Sequence, residues 1–308
     1  MPKLIRIQFV ALAKKAGRLV AASPNMRQKT RPGRNARKPT GGGATRATNG
    51  TQGEDGMAFL GYDTFGKGPP KIIALHGWFG DEKTFAPIYR ALDPDAFTWI
   101  VPAYRGYGAS KHITGEYTVF EIAKDVVALA DSLKIDRFSL VGHSMGGMAI
   151  QRVLADAPAR VEKLIAITPV PASGVPFDDA TYAMFESAVS NPDAARGIVG
   201  FSVGGRLCKR FINDVALYPK KVALDAAFSG YLKSWVRTDF HAEIAGKTLP
   251  VKVIVGEHDG GLTADIMKAT YLTYYPNAEL EVMANSGHYP MDETPIALAT
   301  SIEEFLNR

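Results

Sequence analysis

One serine in this chain, Ser144, stands between glycines in VGHSMGG (141–147), directly after the apolar run FSLVG and directly before the helical stretch MGGMAIQRVLADA. Strand, G-x-S-x-G, helix is the sequence form of a sharp turn that lifts a nucleophile above a sheet edge in a strained backbone conformation. Gly142 and Gly146 are small because neighbouring backbone has to pass close by. The first turn of the helix also turns its positive dipole end toward any oxyanion forming beside the serine. A serine that only capped this helix would need no glycine on either side.

A serine hydroxyl attacks poorly at neutral pH unless a base takes its proton and a third group holds that base in the right tautomer. His288, in NSGHYPMDE, lies in a loop between the run AELEVM and the last helical stretch. From there an imidazole can reach the end of a neighbouring strand. Asp259, in VIVGEHDG, follows a buried strand, with Glu257 and His258 as competitors. Strand alternation turns His258 to the opposite side, whereas Glu257 stays open as the alternative acid. The chemistry these types allow is acyl transfer through a covalent serine. His112 and His241 have no motif around them and are expected at the surface or at helix ends. No pair of His or Cys has metal-ligand spacing, and no G-x-G-x-x-G or Walker-type loop follows a strand. Neither a metal nor a nucleotide cofactor is expected. The single cysteine, Cys208, excludes an intramolecular disulfide and is expected to be a small buried residue.

The elements that must position these groups alternate from Met57 onward. Short Val- and Ile-rich runs (KIIALHG, FTWIVPA, FSLVG, KLIAITP, VKVIVGE, AELEVM) are separated by stretches of helical period, the pattern of a parallel sheet covered on both faces. In VFEIAKDVVALADSL one face carries Val119, Ile122, Ala123, Val126, Ala130 and Leu133. Near the end Ile296, Ala299, Ile302 and Phe305 form a second stripe, and both are expected as core. The interval 172–245 breaks the alternation and predicts helices inserted above the sheet. Between Phe177 and Trp235 it holds ten aromatic or methionine residues, of which about a third are expected to face a ligand and the rest to pack. Lys209, Arg210, Lys220 and Lys221 read as a solvated face, with attraction of an anionic acyl group as the alternative.

Charge divides the chain. Of its 36 Lys and Arg, twelve lie in residues 1–53 with no acid, which leaves 24 basic against 31 acidic residues in 54–308, a balance of −7. The basic, Pro/Gly/Thr-rich lead, 1–56, has too few apolar residues to offset its chain entropy and is expected to be disordered. Its opening, KLIRIQFVALAKKAGRLV, fits an organelle transit segment or a weak membrane-surface helix, while FVALA is too short for a membrane span. The plainer reading is an extension or a start placed too early, since Met57 opens a second beginning. An acidic body argues against nucleic acid as a partner, and no stable membrane insertion is expected. Cytoplasmic location is expected, or an organelle if the lead is a transit segment.

Residues 57–308 resemble the α/β-hydrolase superfamily, in its cap-bearing serine-esterase branch. The resemblance rests on LHGW (75–78), RGYGAS (105–110), GHSMGG (142–147), VGEHD (255–259) and SGHYPMDETP (286–295). It implies an α/β core from 57–171 and 246–308, a mostly parallel twisted sheet, and a helical cap at 172–245. It further implies Ser144 as nucleophile, His288 as base and Asp259 as acid. The backbone N–H groups of Trp78 and Met145 would form the oxyanion hole, with His76 and Gly77 bracing its loop. Two positions depart from the family pattern. Ala103 stands where an aspartate is common, and Gly260–Gly261 replaces a more rigid turn, which would leave Asp259 mobile. A serine at the elbow disfavours epoxide hydrolases and haloalkane dehalogenases, which carry aspartate there. The activity implied is cleavage of a carboxylic ester, without cofactor, on a small molecule with a hydrophobic acyl or alcohol part. Cofactor-free perhydrolases or haloperoxidases, C–C bond hydrolases, hydroxynitrile lyases and hydrolase-fold small-molecule receptors share the same signature.

Overall fold

A computed structural model of the protein describes residues 59–308. The expectations for the lead, 1–56, and for Met57 lie outside the described residues. Seven strands form one sheet: β1 (Tyr62–Phe65), β2 (Lys71–Leu75), β3 (Thr98–Pro102), β4 (Phe138–His143), β5 (Val161–Ile167), β6 (Val251–Gly256) and β7 (Ala278–Met283). Their order is β1-β3-β2-β4-β5-β6-β7; only β1 runs antiparallel, against β3, and every other pairing is parallel. Six of the strands coincide with the six Val- and Ile-rich runs. The seventh, β1, is the antiparallel edge.

Parallel strands need crossovers, and here helices supply them. Helix α1 (Val119–Ser132) links β3 to β4, and α2 (Met145–Asp156) links β4 to β5. Between β5 and β6 come five helices and no strand: α3 (Asp179–Ser187), α4 (Pro192–Ser202), α5 (Lys209–Val222), α6 (Asp225–Arg237) and α7 (His241–Ile244). Helices α8 (Ala264–Ala269) and α9 (Tyr271–Tyr274) precede β7, and α10 (Pro290–Glu293) and α11 (Pro295–Leu306) close the chain. Central strands β4 and β6 are buried at every position, as strands covered on both faces must be.

Two surface positions differ from expectation. Ile296 is 62% exposed: it sits in the first turn of α11, and the buried face is carried by Leu298, Ala299, Ile302 and Phe305. Cys208 is exposed too, because it caps α5 beside the solvent-facing Lys209 and Arg210. Among the described residues no helix is long and apolar enough to cross a membrane.

The turn from β4 into α2 is tightly packed. A Cβ built on Gly146 would lie 2.2 Å from the carbonyl oxygen of Leu75 on β2, and one on Gly142 would lie 2.4 Å from that of Gly146. Both contacts are with backbone, which has nowhere to move. These two glycines let the helix start directly on top of the strand ends.

Candidate active site

The C-terminal ends of the parallel strands all open at one edge of the sheet, the place where open α/β sheets bind ligands. Trp78 follows β2, Ser144 follows β4, Asp259 follows β6 and His288 follows β7. Residues distant in sequence meet here because the strands run parallel and end together.

Ser144 has φ 54° and ψ −117°, a region that non-glycine residues occupy only when their surroundings hold them there. Its hydroxyl makes no capping bond to α2. Instead, Ser144 Oγ lies 3.0 Å from His288 Nε2, and His288 Nδ1 lies 2.7 Å from Asp259 Oδ2. Asp259 is buried, and its second oxygen accepts from the backbone N–H groups of Gly261 at 2.8 Å and Leu262 at 3.0 Å. With the carboxylate accepting from Nδ1–H, the imidazole presents its Nε2 lone pair to the serine.

The turn after Asp259, Gly260–Gly261 included, holds its carboxylate through the Gly261 and Leu262 amides. Glu257 lies elsewhere: its carboxylate is half-exposed, accepts from Asn285 N–H, and stands 3.5 Å from His258 Nε2. The strand ends at Gly256 and the chain turns at once, with Asp259 N–H donating to Gly256 O, so two neighbouring acids diverge. His258 pairs outward with Glu257, His112 is exposed, and His241 is the exposed first residue of α7.

On the other side of the serine lies the loop His76–Trp78. His76 is wholly buried; its ring lies 2.9 Å from Gly77 O through Nδ1, and Nε2 accepts weakly from Tyr104 N–H at 3.4 Å. Burial pushes its pKa down to about 3, so it stays neutral and braces the loop. Two residues that sequence reasoning passed over, Tyr104 and Tyr107, tie down the same loop: their hydroxyls donate to His76 O at 2.8 Å and Trp78 O at 3.0 Å. Their place in and beside RGYGAS was the available signal. Around them Arg105 forks onto Asp125 of α1 at 2.7 and 2.8 Å, and buried Ala103 donates its N–H to Gly61 O, so the loop that lacks the common aspartate is held by other bonds. Among the described residues the backbone N–H groups of Trp78 and Met145 donate to no protein acceptor. The Trp78 side chain is far from idle, since its indole donates to Phe228 O at 2.8 Å and stacks on that ring at 4.0 Å. Removing it would therefore cost packing of α6 as well.

A cavity of about 430 Å³ opens over Ser144 and His288. Its apolar wall includes Trp78, Val170, Phe185, Phe201, Trp235 and Leu262, and five of the ten large residues between Phe177 and Trp235 face it, more than the third expected. Lys209, Arg210, Lys220 and Lys221 line none of it; they are exposed, Arg210 paired with Asp214 and Lys220 with Asp225. The charged residues that do reach the cavity are mostly acids, Asp81, Asp214 and Asp292 among them. Among the described residues no group of three His, Cys, Asp or Glu is arranged to hold a metal ion.

Asp81 joins the loop after Trp78 to α5: it accepts from Tyr218 Oη and from Lys83 N–H, each at 2.8 Å. Burial, reinforced by neighbouring Glu82, raises its pKa to about 6, and burial with Glu293 does the same to Asp292. A carboxyl whose pKa is higher folded than unfolded favours the fold while protonated, and that contribution is lost as pH rises through the folded value. Asp81→Asn is therefore expected to raise the melting temperature by a few degrees at about pH 7.5, a gain of about 1 kcal/mol that shrinks toward about pH 4. Thermal melts across that range decide it. A lower melting temperature at about pH 7.5 would mean that the charged bond to Tyr218 outweighs the cost of burial.

A family model described as "Alpha/beta hydrolase family" matches residues 72–300. A putative esterase/lipase of Haemophilus influenzae is 27% identical over 256 residues, covering 78% of this chain and 84% of that one. Among solved structures, an esterase from Exiguobacterium antarcticum superposes with a TM-score of 0.72 at 18% identity, covering 83% of this chain and 98% of that one. A bromoperoxidase from Bacillus anthracis gives 0.71 at 21% identity, over 80% and 95%. At such identities these two structures speak for the fold alone.

Proposed function

Because the chain belongs to the alpha/beta hydrolase family, we propose that it is a serine hydrolase that cleaves a carboxylic ester through an acyl-serine intermediate. The observation that carries this reading is the continuous chain from Ser144 Oγ to His288 to Asp259, at 3.0 and 2.7 Å, at the mouth of an apolar cavity. Ser144 Oγ attacks the ester carbonyl carbon while its proton passes to His288 Nε2. The resulting imidazolium is stabilised by Asp259. The carbonyl oxygen becomes an oxyanion and accepts from the Trp78 and Met145 N–H groups beside the N-terminus of α2. His288 returns the proton to the departing alcohol as the C–O bond breaks. Water then repeats the sequence on the acyl-serine, with His288 again as base, and releases the carboxylic acid.

In the same reading the five helices of 172–245 act as a cap whose aromatic residues hold the hydrophobic part of the substrate. A cavity of about 430 Å³ suits a small to medium ester. The esterase/lipase name of the Haemophilus influenzae relative supports the reaction class. The test is reaction with a fluorophosphonate, its adduct located by mass spectrometry, beside turnover of p-nitrophenyl acetate, butyrate and octanoate. Labelling at Ser144 with turnover of at least one ester is expected. Labelling with no ester turnover, but with peroxide-dependent oxidation of halide in carboxylate buffer, would move the protein to the perhydrolase reading. No labelling would remove the proposed nucleophile.

A further inference from the structure

Resting on the reading of Ser144 as nucleophile and His288 as base, we infer that Thr168, together with His143, is a positioning residue that sets the separation of the two. Thr168 is the first residue beyond β5, and the backbone on either side of it holds Ser144. Ser144 N–H donates to Ile167 O at 3.0 Å, and Val170 N–H donates to Ser144 O at 2.9 Å. Between those two bonds the Thr168 hydroxyl donates to His288 O at 3.1 Å. One short segment thus grips the nucleophile through its main chain and the base through a side chain.

The same His288 carbonyl takes a second bond, from His143 Nε2 at 2.8 Å. A carbonyl only accepts, so His143 carries its proton on Nε2, and its buried Nδ1 is left without a partner. Burial, and then the neighbouring His288, hold this imidazole neutral by pushing its pKa well below the usual value. His288 N–H is tied as well, to Ser202 O at the end of α4. With both its backbone groups bonded, His288 has little freedom beyond rotation of its ring, and Asp259 stops that.

Thr168 itself is held in an uncommon state. Its φ is 39°, a left-handed value that is a genuine outlier for a β-branched residue, and its N–H donates to Ile254 O on β6 at 2.6 Å. Strain of this kind persists only where surrounding bonds over-determine it, and it gathers at functional sites. Proton transfer between Ser144 and His288 is sensitive to misplacement of either partner by an ångström, which is what this clamp prevents.

The test compares Thr168→Ala, which removes the hydroxyl and eases the backbone, with Thr168→Val, which removes it in the same shape, and Thr168→Ser, which keeps it. Two readouts are used: kcat and KM on the best p-nitrophenyl ester, and the NMR resonance of the His288 Nδ1 proton shared with Asp259. Thr168→Ala and Thr168→Val are expected to lower kcat by about 10- to 100-fold with KM within about twofold, and to broaden that resonance. Thr168→Ser is expected to recover most of kcat and a sharp resonance. Parental kcat and an undisturbed resonance in Thr168→Ala, or equal damage in Thr168→Ser, overturns the inference. If the parent neither turns over esters nor accepts fluorophosphonate at Ser144, the hydrolase reading fails instead. The imidazole resonance then decides the role of Thr168 alone.

Discussion

Ser144→Ala is expected to lower kcat for ester hydrolysis by about 10⁴-fold or more while leaving the fold and its melting temperature close to the parent's. The two halves of that expectation come from different bonds. The main chain of Ser144 is held by Ile167 and Val170, and an alanine keeps both bonds. Its side chain makes no capping bond to the helix, so among the described residues the only hydrogen bond lost is the one to His288 Nε2. Alanine also keeps the Cβ and hence the same conformational cost at φ 54°. What disappears is the atom that would form the acyl bond, and water in its place gains neither proximity nor orientation. Steady-state rates with p-nitrophenyl butyrate and a thermal melt of each protein measure both halves. A folded Ser144→Ala protein hydrolysing within about tenfold of the parent would show that another group performs the attack.

Apolar runs made most of the sheet legible because its central strands are buried on both faces, and such runs are the plainest signal a sequence carries. Strand β1 escaped for the opposite reason. It has four residues, YDTF, of which only Asp63 is buried, and it pairs along a single edge with β3. Ile296 was misjudged because helical spacing says which residues share a face and not where the neighbouring element ends. Cys208 was misjudged because residue type alone sets only an average burial.

At the site, residues that announce themselves by motif were visible, and residues that act through one hydroxyl were not. Thr168 sits in ITPVP, which reads as the end of a strand and nothing more. Its bond to His288 O exists only because β4, β5 and β7 bring three loops to one point. The two acids after β6 posed a different difficulty. Glu257 and Asp259 are two apart, so strand alternation would put them on the same side, and only the turn at Gly256 separates them.

That separation gives the other large effect: Asp259→Asn is expected to lower kcat by about 10⁴-fold, whereas Glu257→Gln leaves it within about twofold. In the parent, Asp259 Oδ1 accepts two backbone N–H bonds, from Gly261 and Leu262. An asparagine must leave its carbonyl oxygen facing those donors, because its NH₂ cannot accept. The NH₂ is then directed at His288 Nδ1, where it donates. His288 must receive that bond on a lone pair, so its own proton moves to Nε2, the nitrogen 3.0 Å from Ser144 Oγ. A protonated Nε2 cannot take the serine's proton, and the base is switched off by its tautomer with hardly an atom displaced. Glu257 has no such leverage, since its carboxylate faces Asn285 and His258. Rates of both variants on one ester, with the His288 ring protons followed by NMR, test the argument at each step. A strong loss in Glu257→Gln beside a working Asp259→Asn would reverse the assignment of the acid.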